Sequence, residues 1–261
     1  MPKYVKKYEL TNQKMTLKKG LVLYRIKALR DFASVRRGDL GGWLQHEGNL
    51  ATDYNLAWLS GNAMAYGEAR VVDDAWVSGN AKVYGQALIN EQANVEGNAT
   101  VYGNATVSDD STVGENSRVY GFARVTGNAQ VFGHASIFGE ALVSGKAMVY
   151  DNSTICGNAR VYGEARIFGN AEVRSEAVIR CKAYIGGDAR IESTSDYVSI
   201  SPINGHTVTF TKCGMVFSSC FGLTWNELLA ECRKNAGSKL YVKQYRSAIK
   251  FAMMLFERLS S

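Results

Sequence analysis

The sequence predicts a mainly β chain wound as a triangular parallel coil, and three observations predict it. From Ala51 to Ala189 every sixth residue is small: of 24 positions 21 are Ala, and the others are Ser111, Ser117 and Ser153. Two residues further on lies an apolar register whose 21 positions from Val71 to Ile191 are all Val or Ile. Two residues before the small one is most often Gly, as in Gly61, Gly79 and Gly97, with Asn commonly between them. A period of six fits neither the 3.6 of a helix nor a long alternating strand. It does fit short strands joined by sharp corners. Residues two apart share one strand face, and a Gly-Asn pair tolerates the positive φ of a tight corner. Three units close a triangle of about 18 residues, so 24 units make about 8 coils, roughly 38 Å long at about 4.8 Å per rung.

Taken in chain order, the elements divide at 1–50, 51–192 and 193–261. A stacked coil has two open strand edges that need cover, and residues 1–50 are expected to be the first cover, an N-terminal β cap. Tyr4-Val5 and Leu21–Ile26 read as strands around a turn near Lys19-Gly20, and Gly38–Trp43 leads into the coils. Residues 51–192 are the repeat. After Ser193 the period is lost, and Val198–Ile203, Thr207–Lys212 and Met215–Ser219 read as short strands with turns at Asn204-Gly205 and Cys213-Gly214. Thr224 followed by Glu227 is a capping box that opens a helix ending near Gly237. A second helix from about Leu240 to Leu259 has Val242, Tyr245, Ile249, Ala252, Phe256 and Leu259 on its apolar face. This is a small C-terminal α+β domain.

Composition excludes several classes. Hydrophobic residues are 46% and charged residues 21% of the 261, so the chain buries a core. It has no apolar run near the roughly 18 residues of a membrane span. The N-terminal MPKYVKKYEL lacks the apolar core of an export signal. Five cysteines at irregular spacing then suggest reduced thiols and a cytoplasmic location. Net charge is +7 over 1–50, −5 over 51–192 and +4 over 193–261. The basic balance therefore belongs to the two ends, which favours an acidic partner there: a host protein or a nucleotide-like anion. Nucleic acid along the coil wall is disfavoured.

The alternation of an aliphatic residue with a small one four places later, as in Val71 to Ala75 and Val101 to Ala105, resembles the hexapeptide-repeat, left-handed parallel β-helix. The left hand comes from that resemblance alone. The segments Leu29–Phe32, Gly38–Trp43 and Asn49-Leu50, followed by the repeat, resemble the YdcK-type family of enterobacteria and their phages, which carries an acetyltransferase label. The C-terminal segment resembles those of phage versions. Enzymes of this fold are mostly acyltransferases with a His base beside acyl-CoA, and many hexapeptide proteins are trimers.

Read at a period of 18, the outward columns carry the candidate sites. One holds Tyr66, Tyr84, Tyr102, Tyr120 and Phe138 before Cys156 breaks it; another holds Phe132, Tyr150 and Phe168; a third pairs Trp58 with Trp76. Contiguous exposed rings would form an apolar patch, expected to be a homo-oligomer contact, with a trimer favoured. A stabilising ladder alone and a partner or ligand surface are the alternatives. His134 takes the place of a corner Asn and reads as a solvent-facing substitution; under the acyltransferase alternative it is the candidate base and acetyl-CoA the cofactor. His46 precedes the coils without an evident partner. The spacing of His206, Cys213, Cys220 and Cys232 matches no short-pair zinc motif, so core packing is expected and no metal. The expectation is a non-enzymatic, oligomeric, phage-type scaffold that interferes with a host process. An acetyl-CoA-dependent acyltransferase is the alternative, and a filament-forming protein the second.

Overall fold

The structure, a computed structural model, describes residues 6–52, 55–203, 205–219, 221–234 and 239–258. The expected strand at Tyr4-Val5, and Asn204, Cys220, Gly237 and Leu259, lie outside the described residues.

Three longer strands come first: β1 (Tyr8–Thr16), β2 (Val22–Ala28) and β3 (Leu40–Leu44). Then strands of two residues recur every six, from β4 (Trp58–Leu59) to β26 (Arg190–Ile191). Between the ends of the run each pairs in parallel with the strand three before and three after it, 18 residues away, as Val95 does with Val77 and Val113. The result is a parallel β-solenoid of about eight turns with three flat walls, formed by sheets of 11, 8 and 7 strands. The Val/Ile register from Val71 and the small-residue register from Ala57 are both fully buried along the axis. The three Ser exceptions keep the space but add a hydroxyl, which donates to the carbonyl three residues back: Ser111 to Ser108 and Ser117 to Gly114, both at 2.6 Å, and Ser153 to Tyr150 at 2.7 Å. A buried hydroxyl needs such a bond.

At the corners the work is divided within the Gly-Asn pair. The left-handed residue is the first of the two; no described Asn adopts positive φ. At Gly133, φ is +66° and a Cβ would lie 2.6 Å from the backbone nitrogen of Asp151 one turn on, so a side chain has no room. Where Asp or Glu takes this position, its carboxylate accepts an amide N–H from the same corner of an adjacent turn. Asp109 accepts from Gly127 at 2.7 Å, Glu115 from Gly133 at 2.8 Å and Asp151 from Gly169 at 2.9 Å. This bond offsets the cost of a non-Gly residue in the left-handed region. The Asn side chains form amide ladders instead, Asn62–Asn80–Asn98–Asn116 and Asn152–Asn170–Asp188, at 2.9–3.3 Å.

Both edges of the stack are covered. In this parallel coil alternate residues turn both N–H and C=O toward the next turn, as Trp58 N does to Ala75 O, and the residues between turn both toward the previous one. Each end of the stack therefore shows N–H and C=O groups together. Fully buried Lys7 aims its Nζ at the carbonyls of Ala57 (2.8 Å) and Asn55 (3.2 Å). The Tyr8 hydroxyl donates to the Leu50 carbonyl at 2.9 Å, and the Asn49 amide to those of Gly67 and Ala69. Trp58, read as half of an outward pair, is buried here, with Phe32 edge-on at 5.3 Å and Tyr8 at 6.5 Å. The cap claims the outer face of the first turn. Its polar strand β1 has no apolar alternation in sequence and was not among the expected strands.

At the far end the partners are hydroxyls. Thr194 Oγ1 takes the N–H of Val178 (3.1 Å), the Tyr197 hydroxyl takes that of Arg180 (3.3 Å) and donates to the Val178 carbonyl (3.1 Å), and Thr209 Oγ1 takes that of Tyr184 (3.0 Å). They belong to the C-terminal domain and the turn before it. That domain is an antiparallel sheet of β27 (Tyr197–Ile203), β28 (His206–Thr211), β29 (Met215–Phe217) and β30 (Gly222–Thr224), with α1 (Trp225–Lys234) and α2 (Lys239–Arg258). The expected capping box is present: Glu227 accepts from the Thr224 N–H at 2.7 Å, and the Glu227 N–H donates to Thr224 Oγ1 at 3.2 Å. Its core joins Ile203, Val208, Phe210 and Val216 to Leu228, Val242, Tyr245, Ile249 and Phe256.

Candidate functional site

The five-ring column follows the strands of one wall. Tyr66, Tyr84, Tyr102, Tyr120 and Phe138 stack face to face, with centroids 4.9–5.0 Å apart and ring planes within 8° of parallel. The rings are half-buried rather than exposed, because the next ring covers each face and only the edges meet solvent. Burial raises the pKa of Tyr66, Tyr84 and Tyr120 above the usual tyrosine value, and Arg118 partly opposes the shift at Tyr84 and Tyr120. The column is thus a stacked ladder whose ring edges face solvent.

The second column is divided between two environments. Tyr150 stacks on Phe168 at 5.6 Å, and Phe168 meets Phe217 of the C-terminal sheet edge-on at 5.7 Å. A Cβ on Gly186 would sit 2.2 Å from the Phe168 ring, so that glycine makes space for it. Phe168 is part of the joint between coil and C-terminal domain. Phe132 lies against Gly114, where a Cβ would meet its ring at 2.9 Å. Burial raises the pKa of Tyr150, and Arg166 works against it.

His134 stands exposed at its corner, its backbone N–H donating to Asp151 O at 2.7 Å, in the gap between the two Asn ladders. His46 caps the turn before the coils, its Nε2 3.0 Å from the Gly67 carbonyl. Cys232 is buried in the α1 core, but Cys213 is exposed in the turn between β28 and β29, against the expectation of core packing. His206 lies 3.3 Å from the Ser219 hydroxyl. The structure does not bring these residues together as a cluster: among the described residues no group of three potential metal ligands converges.

Residues 99–115 match the family model YdcK Beta solenoid repeat. The YdcK-type match spans about one turn of the coil, including Tyr102 of the ring column and Asp109 of the corner carboxylates. It agrees with the six-residue period that runs on either side of it. A comparison with curated proteins finds no match. No described helix is long and apolar enough to cross a membrane.

Outside the YdcK-type match lies the surface that sequence reasoning missed. The outward side of α2 exposes Leu240 (70%), Phe251 (45%), Met253 (41%) and Met254 (40%). Lys243, Arg246 and Lys250 are exposed among them. The helix is apolar on both sides, and periodicity shows only the side that the domain's own core uses. The available signal was the excess: Phe251, Met253 and Met254 do not fall on the buried stripe.

Proposed function

We propose that this chain is a non-enzymatic binding scaffold: a stiff rod that associates with copies of itself and holds its C-terminal domain out to an acidic protein partner. The observation that carries the reading is the outward side of α2, where three cations flank exposed Phe251, Met253 and Met254. An apolar patch rimmed by charge is typical of a recognition surface. Caps on both edges of the stack support discrete assemblies over filaments, with a trimer as the expected form. In keeping with the phage-type resemblance, the partner belongs to a bacterial host process in the cytoplasm.

The test is capture from bacterial lysate by the intact chain and by a Lys243→Glu/Arg246→Glu/Lys250→Glu variant, with sedimentation of both. The reading expects an acidic protein retained by the first and lost by the second, and a single oligomer of fixed size. Stabilisation by acetyl-CoA that disappears in His134→Ala would replace this reading with the acyltransferase. A ligand at 100 times its Kd adds about 2.7 kcal/mol, so a thermal melt suffices. Open-ended polymers would favour the filament.

A further inference from the structure

The C-terminal sheet runs in the order β27–β28–β29–β30, so β27 is an outer strand. It pairs with β28 from Tyr197 to Ile200 and again at Ile203, and among the described residues no strand pairs with its other side. An outer strand carries a row of N–H and C=O groups ready to accept another strand. Beside it α2 leaves a groove of about 430 Å³, in which Ile200, Pro202, Ala248 and Phe251 are the apolar surfaces and Lys243 and Ser247 are polar. An outer strand flanked by a helix, with apolar surface between them, is the arrangement that captures extended peptides by strand addition.

We propose that this groove binds an extended acidic segment of a partner protein, which adds to β27 as a fifth strand. The proposal rests on the scaffold reading above and names its site and mode of binding. Alternate residues of an added strand point to the same side, so apolar residues at every second position would meet Ile200, Ala248 and the half-exposed Phe251 ring. Acidic residues follow from charge. Lys243 lies in the groove and Arg246 and Lys250 are exposed on the same helix, where Glu257 is the only exposed carboxylate described. Pro202 has no N–H to donate, so pairing stops there and the added strand is short, opposite Tyr197–Ser201. A second copy of the chain is a poor occupant: joining two β27 edges would bring two identical basic helices together.

Selection of a random decapeptide library on the intact protein tests this. The expected peptides alternate apolar residues with Asp or Glu, and they slow amide exchange within β27. Their affinity falls about ten-fold or more in Phe251→Ser and in Lys243→Glu/Lys250→Glu, while Phe251→Leu retains it. Enrichment of basic or non-alternating peptides, no enrichment, or acidic peptides that bind these variants as they bind wild type would overturn the proposal. So would protection of β27 by self-association or by phosphatidylglycerol vesicles in place of peptide. Lysate capture that survives Phe251→Ser leaves the scaffold reading standing and removes this groove. Selected peptides seated on β27, with no lysate partner captured, do the reverse.

Discussion

The two ends of the solenoid leave the same mixture of open backbone groups and cover it with different side chains. Over the first turn the Lys7 Nζ, the Tyr8 hydroxyl and the Asn49 amide meet carbonyls, and Gln45 Oε1 takes the Gly67 N–H. Over the last turn the hydroxyls of Thr194, Tyr197 and Thr209 take N–H groups, and that of Tyr197 also donates to the Val178 carbonyl. A parallel coil has direction, and unmet backbone groups at its ends are costly when buried. The contrast teaches that one cover uses a buried charge and the other neutral hydroxyls, which can accept and donate at once.

Breaking the charged cap over the first turn has the largest expected effect. Lys7→Met leaves the carbonyls of Asn55 and Ala57 buried without that donor, a loss of about 3 kcal/mol, read by chemical denaturation. At the far end Thr209→Val removes two neutral bonds, to the Tyr184 N–H and the Ser199 hydroxyl, and is expected to cost about 2 kcal/mol. Equal losses at the two ends would mean that the charged donor has no special place there. Between the ends, Tyr102→Ala removes two ring stacks, a loss of about 1–2 kcal/mol.

The same column sets a pH response. Tyr66, Tyr84 and Tyr120 have raised folded-state pKa values, first through burial. Their contribution is therefore intact below the unfolded value near 10 and is lost as pH rises through the folded values. Thermal melts should fall above about pH 10, and less steeply when the three are replaced by Phe. The smallest effect is expected at the corner carboxylates. Glu91 has a raised pKa, chiefly from its side-chain hydrogen bond with Asp109, so its ionisation disfavours the fold. Glu91→Gln should raise the melting temperature slightly at neutral pH, with no gain in acid where Glu91 is already protonated.

The readable and unreadable parts of this chain differ in where neighbours come from. In the coil each residue touches its own equivalents 18 positions away, so Val95 meets Val77 and Val113 and the period itself states the contacts. The Ala and Val/Ile columns, the walls and the Gly corners follow from that. The ring column was readable as a column, but its burial was not: stacking geometry decides whether five rings form a patch or cover one another.

By itself, then, the sequence determined the coil, its turn length, its buried registers and the capping box at Thr224. Tertiary structure decided what the repeat does not encode. Lys7 is a surface residue by composition and becomes a buried cap because the first turn's carbonyls require a donor. Phe168 is one ring among several in sequence, and Phe217 makes it a joint. Phe251 lies on the side of α2 that its own domain leaves bare, beside the open edge of β27. In each case the deciding neighbour lies at a separation that no period predicts.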